Sequence, residues 1–179
     1  DVSFQEIFTT FAQGGTLVSI TDEDRLNSSQ LLRKIIAHRI DRIIVPFVAL
    51  QYLAEAVERV GEAPVSLKEI FTSGEQLRIT PAIRALFEQL PGCRFCNQYG
   101  PTEGHVVSEL ELEGAPADWP ALPNIGRAID NVRLYVLDEH MRRVPTGEEG
   151  ELYLGGACVA AGYIGRDDLT AERFLIDPF

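Results

Sequence analysis

The sequence predicts an α/β fold: a parallel sheet covered by helices, followed by a run of antiparallel strands. Three observations carry this expectation. β-type segments alternate with segments of helical period up to about residue 99, the pattern of a parallel sheet with crossover helices. After about Glu103 helical signals thin out, and strand-like segments are joined by Pro, Gly and Asp turns, as in antiparallel sheets and barrels. An apolar content of 45% beside 24% charged residues suits a soluble domain with a buried core.

Taken in order, Phe4, Ile7, Phe8 and Phe11 recur at helical spacing, and Gly14-Gly15 ends that helix. Thr16 to Ile20 reads as a short strand. Asn27-Ser28-Ser29 caps a second helix whose apolar face is Leu31, Leu32, Ile35 and Ile36. Arg42 to Val45 is a buried-type strand closed by Pro46, and Ala49, Leu50, Leu53, Ala54 and Val57 mark a third helix. Leu67 to Thr72 is a strand broken by Ser73-Gly74. Thr80 and Pro81 place an N-cap and a first helical residue for a helix that runs to Leu90. Cys93 to Gln98 reads as a buried strand. Beyond it, Val106 to Leu112, Val132 to Leu137 and Glu151 to Leu154 are strand-like, and Leu169 to Phe174 closes the chain as a helix. Ala115 to Pro123, rich in Pro and Ala, is the expected loop between the two parts.

Composition excludes several function classes. The formal net charge is −11, from 16 basic and 27 acidic residues, which argues against a nucleic-acid surface and favours an acidic, solubilising exterior. No apolar run reaches the ~18 residues that cross a bilayer, and no basic-then-apolar leader opens the chain; a cytoplasmic location without membrane attachment is the expectation. Cys93, Cys96 and Cys158 form an odd set with no second Cys pair, so structural thiols are expected rather than a disulfide framework or zinc site. His38, His105 and His140 share no metal-ligand spacing.

The chemistry concentrates in Asn97-Gln98-Tyr99-Gly100-Pro101-Thr102-Glu103. A strand delivers Asn97, Gln98 and Tyr99, and the Gly-Pro turn presents Thr102 and Glu103. Ligands of open α/β sheets bind outside the carboxyl ends of the strands. An amide, an aromatic face, a hydroxyl and a carboxylate gathered there suit a purine, a phosphate and a divalent metal. On spacing alone an ordinary turn with a core tyrosine fits as well.

The heptad resembles the N-x-Y-G-P-T-E segment of adenylate-forming enzymes, in the form typical of the adenylation domains of nonribosomal peptide synthetases. Asp1-Val2-Ser3-Phe4-Gln5-Glu6-Ile7-Phe8 resembles the tail of that family's upstream F-D-x-S segment. Gly150-Glu151-Leu152-Tyr153-Leu154-Gly155-Gly156, with Ala161-Gly162-Tyr163 and Leu169-Thr170-Ala171-Glu172-Arg173-Phe174, resembles its G-E-L-x-x-G-G…A-R-G-Y…L-T-A-E-R-F segment. Ala161 stands where the family usually has Arg. The order agrees across essentially the whole chain.

The resemblance implies a fragment of the acyl-adenylate-forming fold. Residues 1–104 would form a flavodoxin-like part with the amino-acid pocket and the ATP motif, and residues 105–179 a mainly β part, a distorted barrel with a closing helix. It implies ATP and Mg²⁺. Tyr99 would stack on adenine, Asn97 would accept from its exocyclic amine, and Gln98 and Gly100 would complete the nucleotide-facing turn. Thr102 would contact the α-phosphate, and Glu103 would hold the metal. Ser73, Gly74 and Glu75 would bring backbone close to the nucleotide.

Asp1 would pair with the ammonium of an amino acid. Val2, Gln5, Ile44, Phe71, Ser73, Gln98, Val106 and Val107 would line its side-chain pocket. These pocket positions carry no acidic and no basic residue, and a buried unpaired charge is unfavourable; a neutral substrate is therefore expected. Asp1, Val2, Gln5, Val106 and Val107 resemble pockets that select proline or a close imino acid.

The family's phosphate loop, its Tyr-x-Thr-Gly-Asp segment and its C-terminal subdomain with the catalytic Lys are not in these 179 residues. The piece alone is expected not to form adenylate, because that chemistry needs groups from several directions. The expected partners are the remaining parts of the same adenylation domain and a downstream peptidyl carrier protein. Two other readings compete: an acyl-CoA or aryl-acid ligase, against which Asp1 speaks, and a non-catalytic module that keeps the fold as scaffold.

Overall fold

The computed structural model describes residues 2–179; Asp1, the expected ammonium partner, lies outside the described residues. The described residues form a mixed α/β structure with two sheets. The larger has strand order β1-β2-β3-β4-β5, comprising β1 (Arg42–Val45), β2 (Glu69–Thr72), β3 (Arg94–Tyr99), β4 (Ser108–Glu111) and β5 (Arg127–Ala128). The first three strands run parallel. β4 and β5 continue the same sheet with antiparallel pairing, so the sheet changes direction at the Gly-Pro turn. A second antiparallel sheet pairs β6 (Val132–Leu137) with β7 (Glu151–Gly156).

The helices are α1 (Val2–Ala12), α2 (Asp22–Leu26), α3 (Ser28–Ala37), α4 (Phe47–Val60), α5 (Pro81–Glu88) and α6 (Asp167–Arg173). Their starts follow local chemistry. Asn27 Oδ1 accepts from the backbone N–H groups of Ser29 and Gln30, and Thr80 Oγ1 accepts from Ile83. These are orphan donors of a first turn.

α3, α4 and α5 cover one sheet face. Leu32, Leu50, Leu53, Val57, Ile83 and Leu86 from the helices meet Ile70 and Phe95 from the sheet in a single core. Phe87 stacks on Phe95 at 4.4 Å and meets Trp119 edge-on at 5.1 Å. Trp119 Nε1 donates to the Glu113 carbonyl at 2.9 Å, so the buried indole N–H keeps a partner.

The opposite face carries the residues of the other strand parity, a period-2 consequence of the pleat. One row of it is ionic. Glu69 bonds Arg42 at 2.5 Å on one side and Arg94 at 2.8 Å on the other, and Arg94 bonds Glu111 at 2.8 Å.

Several expectations are corrected. Thr16 to Ile20 is not a strand: it makes no ladder with any described strand, and β-type side chains alone do not satisfy backbone groups. Phe4, Phe8 and Phe11 do lie on a helix, but they are 62%, 55% and 58% exposed, so the apolar face of α1 is largely open to solvent. α2 was not foreseen. It starts at Thr21, whose hydroxyl accepts from the Asp24 N–H while the Asp24 carboxylate accepts from the Thr21 N–H, a capping box built on Asp instead of Glu or Gln. The two-residue β5 is too short to leave a pattern in sequence.

Candidate active site

The carboxyl ends of β2 and β3 lie side by side, with Thr72 paired to Asn97. Ser73-Gly74-Glu75 leaves one strand there, and Tyr99-Gly100-Pro101-Thr102-Glu103 leaves the other. Both segments expected to face a nucleotide thus open at one edge of the sheet, where ligands of open α/β sheets bind.

The turn after β3 is held from both ends. Gly104 N–H donates to the Pro101 carbonyl at 3.0 Å, and Val107 N–H donates to the Tyr99 carbonyl at 2.8 Å. His105 adopts φ 55°, which folds its carbonyl back onto Gly100. A Cβ at Gly100 would stand 1.3 Å from that oxygen, so no other residue fits. Burial of the His105 imidazole lowers its pKa from 6.5 and favours its neutral form.

Within the motif the side chains divide between the two faces. Asn97 is buried toward the helix layer, and its Nδ2 donates to the Asn124 carbonyl at 2.9 Å. Gln98 points to the other face. Tyr99, at the strand end, is 36% exposed, and Thr102 is exposed beyond the turn.

Glu103 is held by the second half of the chain. Its backbone carbonyl accepts from Ala160 N–H at 2.9 Å, and its Oε1 accepts from the Tyr163 hydroxyl at 2.5 Å. The Tyr163 bond lowers the Glu103 pKa below 4.5 and raises that of the phenol above 10.0. Tyr163 is fixed in turn by Thr170 Oγ1, which accepts its N–H at 2.9 Å, and by an edge contact of 5.3 Å with Phe174. Tyr163 and Thr170 were read only as parts of motifs, and their convergence on Glu103 has no signature in local spacing.

A carboxylate accepting one hydrogen bond keeps acceptor capacity for a cation. Among the described residues no three His, Cys, Asp or Glu side chains gather as a metal cage. Mg²⁺ needs none when it is shared between one or two carboxylates and substrate phosphates. Glu103 beside the exposed Thr102 hydroxyl fits that kind of site.

After β2, Gly74 has φ 83° and its Cβ direction meets nothing within 4 Å. The turn therefore requires glycine by conformation, and the space above it is open. The Glu75 carboxylate accepts from Val48 N–H at 3.0 Å, satisfying a first-turn donor of α4, whose N-cap Pro46 has no side-chain bond to give.

The expected side-chain pocket gathers on the sheet face opposite the helices. Ile44 and Phe71 are register partners, Gln98 lies further along β3, and Gln5 of α1 donates from Nε2 to Gln98 Oε1 at 3.3 Å. Ser73 follows Phe71 on the same parity. Val107 is fully buried; Val2 and Val106 are half-buried. Charge comes closer than the linear motif suggested. Glu109 accepts from Gln98 at 2.7 Å, and the Arg42 guanidinium lies 6.0 Å from the centre of the Phe71 ring. Both are cross-strand neighbours, which the order of residues along one strand does not reveal. A separate open groove of about 2010 Å³ runs between α1, residues 13–20 and the free edge of β1. It touches Ile44 and Glu75 but not the Thr102–Glu103 turn.

The three cysteines are free thiols. Burial pushes Cys93 up to about 11 and Cys96 up to about 12, which keeps both protonated and unreactive at neutral pH.

Comparison with known proteins decides the family. The AMP-binding enzyme family matches residues 1–164. The chain belongs to that family. Among its relatives, gramicidin S synthase 2 of Brevibacillus brevis is 36% identical over the whole chain, which covers 4% of that protein. Tyrocidine synthase 2 of Brevibacillus parabrevis is 37% identical over the whole chain, covering 5% of its length. The phosphinothricin tripeptide synthetase PhsB of Streptomyces viridochromogenes is 41% identical, with the whole chain matched to 15% of its length. The chain thus spans a small part of each. In structure it resembles the nonribosomal peptide synthetase FmoA3 with a TM-score of 0.76 at 24% identity, over 84% of this chain and 16% of the other, a likeness of fold. No helix among the described residues is long and apolar enough to cross a membrane.

Proposed function

We propose that this chain is the amino-acid-pocket and nucleotide-facing part of an adenylation domain in a peptide synthetase. That domain joins a neutral amino acid to AMP and then hands the aminoacyl group to the thiol of a carrier protein. The observation that carries the reading is the pairing of two strand ends. Ser73–Glu75 and Tyr99–Glu103 open at one edge, while Gln5, Ile44, Phe71 and Gln98 share the face beside it. Family membership supports the same reading.

In this mechanism an amino-acid carboxylate oxygen attacks the α-phosphorus of ATP, and the bond to the pyrophosphate oxygen breaks. The reaction depends on positioning and on charge stabilisation. Tyr99 offers its ring to the adenine and Asn97 Oδ1 an acceptor to the exocyclic amine. Thr102 donates to the α-phosphate. Glu103, kept as a carboxylate by Tyr163, would hold Mg²⁺, which would supply screening of the charge on the phosphate oxygens. Asp1 pairs with the substrate ammonium. Residues 1–104 supply most of the pocket and the nucleotide motif, and residues 105–179 add Val106 and Val107 and brace Glu103. The domain works in the cytoplasm. A strong preference for a neutral amino acid over Glu fits side chains whose carboxylate, Glu109, is already engaged by an amide.

Amino-acid-dependent exchange between ATP and labelled pyrophosphate tests the reading, measured with the complete adenylation domain that contains this chain. The expected result is exchange driven by neutral amino acids, proline and related imino acids included, and its loss in Glu103→Gln. Exchange driven best by Arg or Glu overturns the neutral pocket, and no exchange with any amino acid overturns the activity.

A further inference from the structure

The sheet face that carries the pocket residues also carries a chain of hydrogen bonds with a fixed direction. Gln98 of β3 stands opposite Glu109 of β4 in the ladder, and its Nε2 donates to Glu109 Oε2 at 2.7 Å. A carboxylate can only accept, so Glu109 dictates which end of the Gln98 amide faces it. The other end, Oε1, turns toward α1, where Gln5 Nε2 donates to it at 3.3 Å. Gln5 is therefore also oriented, and its Oε1 ends the chain, buried and without a hydrogen-bond partner. Reversing either amide would set two carbonyl oxygens or leave two donors against each other, with buried polar groups unmet.

We infer that Glu109 is a positioning residue for substrate selection. It sets the polarity of the side-chain pocket through Gln98 and Gln5. The pocket then presents acceptors, and among neutral amino acids it selects those whose side chain carries an O–H or N–H donor over their apolar isosteres. A donor group completes the bond that Gln5 Oε1 lacks, whereas an apolar group leaves that oxygen buried and unpaired. Sites built to meet a polar substrate group discriminate strongly for this reason. The inference rests on the adenylation reading and adds the member of the substrate class and a residue, on β4, that does not itself line the pocket.

Pyrophosphate exchange by the complete adenylation domain, run on matched pairs, tests it: threonine against valine, and 4-hydroxyproline against proline. In the pair that the wild type activates, the donor-bearing member should have at least about a tenfold higher kcat/KM. Glu109→Gln, whose amide can donate as well as accept, frees Gln98 to turn over and should bring that ratio to near one. The change should fall on the KM for the amino acid, with the KM for ATP unmoved, and Glu109→Asp should restore most of the preference. A wild type that favours the apolar member overturns the inference, as does a Glu109→Gln enzyme with an unchanged ratio. Preference for lysine or ornithine also overturns it, since Glu109 would then be a direct counter-charge. Absence of exchange with every amino acid instead refutes the adenylation reading beneath it. If Glu109→Gln does not fold, Gln5→Met, which removes the unpaired oxygen together with the donor to Gln98, should abolish the preference; an unchanged ratio there overturns the proposal.

Discussion

The Tyr163 hydroxyl donates to Glu103 Oε1 at 2.5 Å across 60 positions of sequence. The bond joins the turn after the parallel strands to the segment between β7 and α6, and it leaves the Glu103 carboxylate ionised and aimed. Removing only the hydroxyl, in Tyr163→Phe, should leave the fold intact and loosen Glu103. Hydrogen bonds that orient a metal-binding carboxylate are worth about 10- to 100-fold in metal affinity. The expected result in the complete domain is a Mg²⁺ requirement raised by roughly that factor, read from exchange rate against Mg²⁺ concentration. Direct Mn²⁺ binding by magnetic resonance, in the presence of nucleotide, should weaken in parallel.

Gly100→Ala tests the turn itself. Its Cβ would overlap the His105 carbonyl at 1.3 Å, and backbone on both sides leaves no flexible side chain to yield. The turn must open, at a cost of about 3 kcal/mol or more. Thermal unfolding should shift downward, and protease cleavage between residues 100 and 107 should become fast. His105→Gly acts in the opposite direction, relieving a left-handed residue at φ 55° by about 1 kcal/mol.

The capping box of α2 should govern part of the acid stability. Lys34 and Thr21 hold the Asp24 carboxyl near about 2, down from 3.8. A depressed carboxyl stabilises the folded form fully above its unfolded value and loses that contribution as protons bind. Stability should thus fall between pH about 4 and about 2, and Asp24→Asn should flatten that part of the profile. Denaturant midpoints measured across the range check it.

Cys93 and Cys96 should resist alkylation at pH 8, where thiols at about 11 and about 12 are almost wholly protonated. Mass spectrometry after iodoacetamide should find both unmodified in the folded domain and both labelled in denaturant. Labelling of Cys96 under native conditions would contradict its burial.

Much of this architecture was legible in local sequence because local chemistry decides it. Asn27, Thr80 and Pro81 announce helix starts whatever surrounds them, and Arg42–Val45 announces a strand that the structure keeps at the same bounds. Thr16–Ile20 shows the limit: Thr16, Val18 and Ile20 are β-formers, yet they make no strand without a neighbour to bond. The heptad at Asn97 does pass from strand to turn as its Gly-Pro predicts, yet the period of two sends Asn97 and Gln98 to opposite faces. Glu109 and Tyr163 stayed hidden for a common reason. Their contacts depend on how separate segments are laid beside each other, and that relation is not written in either segment alone.

The ionic row of Arg42, Glu69, Arg94 and Glu111 bears on how the strands find one another. Parallel strands are linked only through helices, so no tight turn dictates their alignment. A shift of one residue would turn every side chain to the wrong face. A shift of two would preserve the faces but set Glu69 against Cys96 instead of Arg94, breaking the charge sequence at that joint. The alternating signs act as a checksum on strand alignment: one arrangement satisfies them all, and a misaligned sheet is left with stranded charges that mark it as an error to be undone during folding.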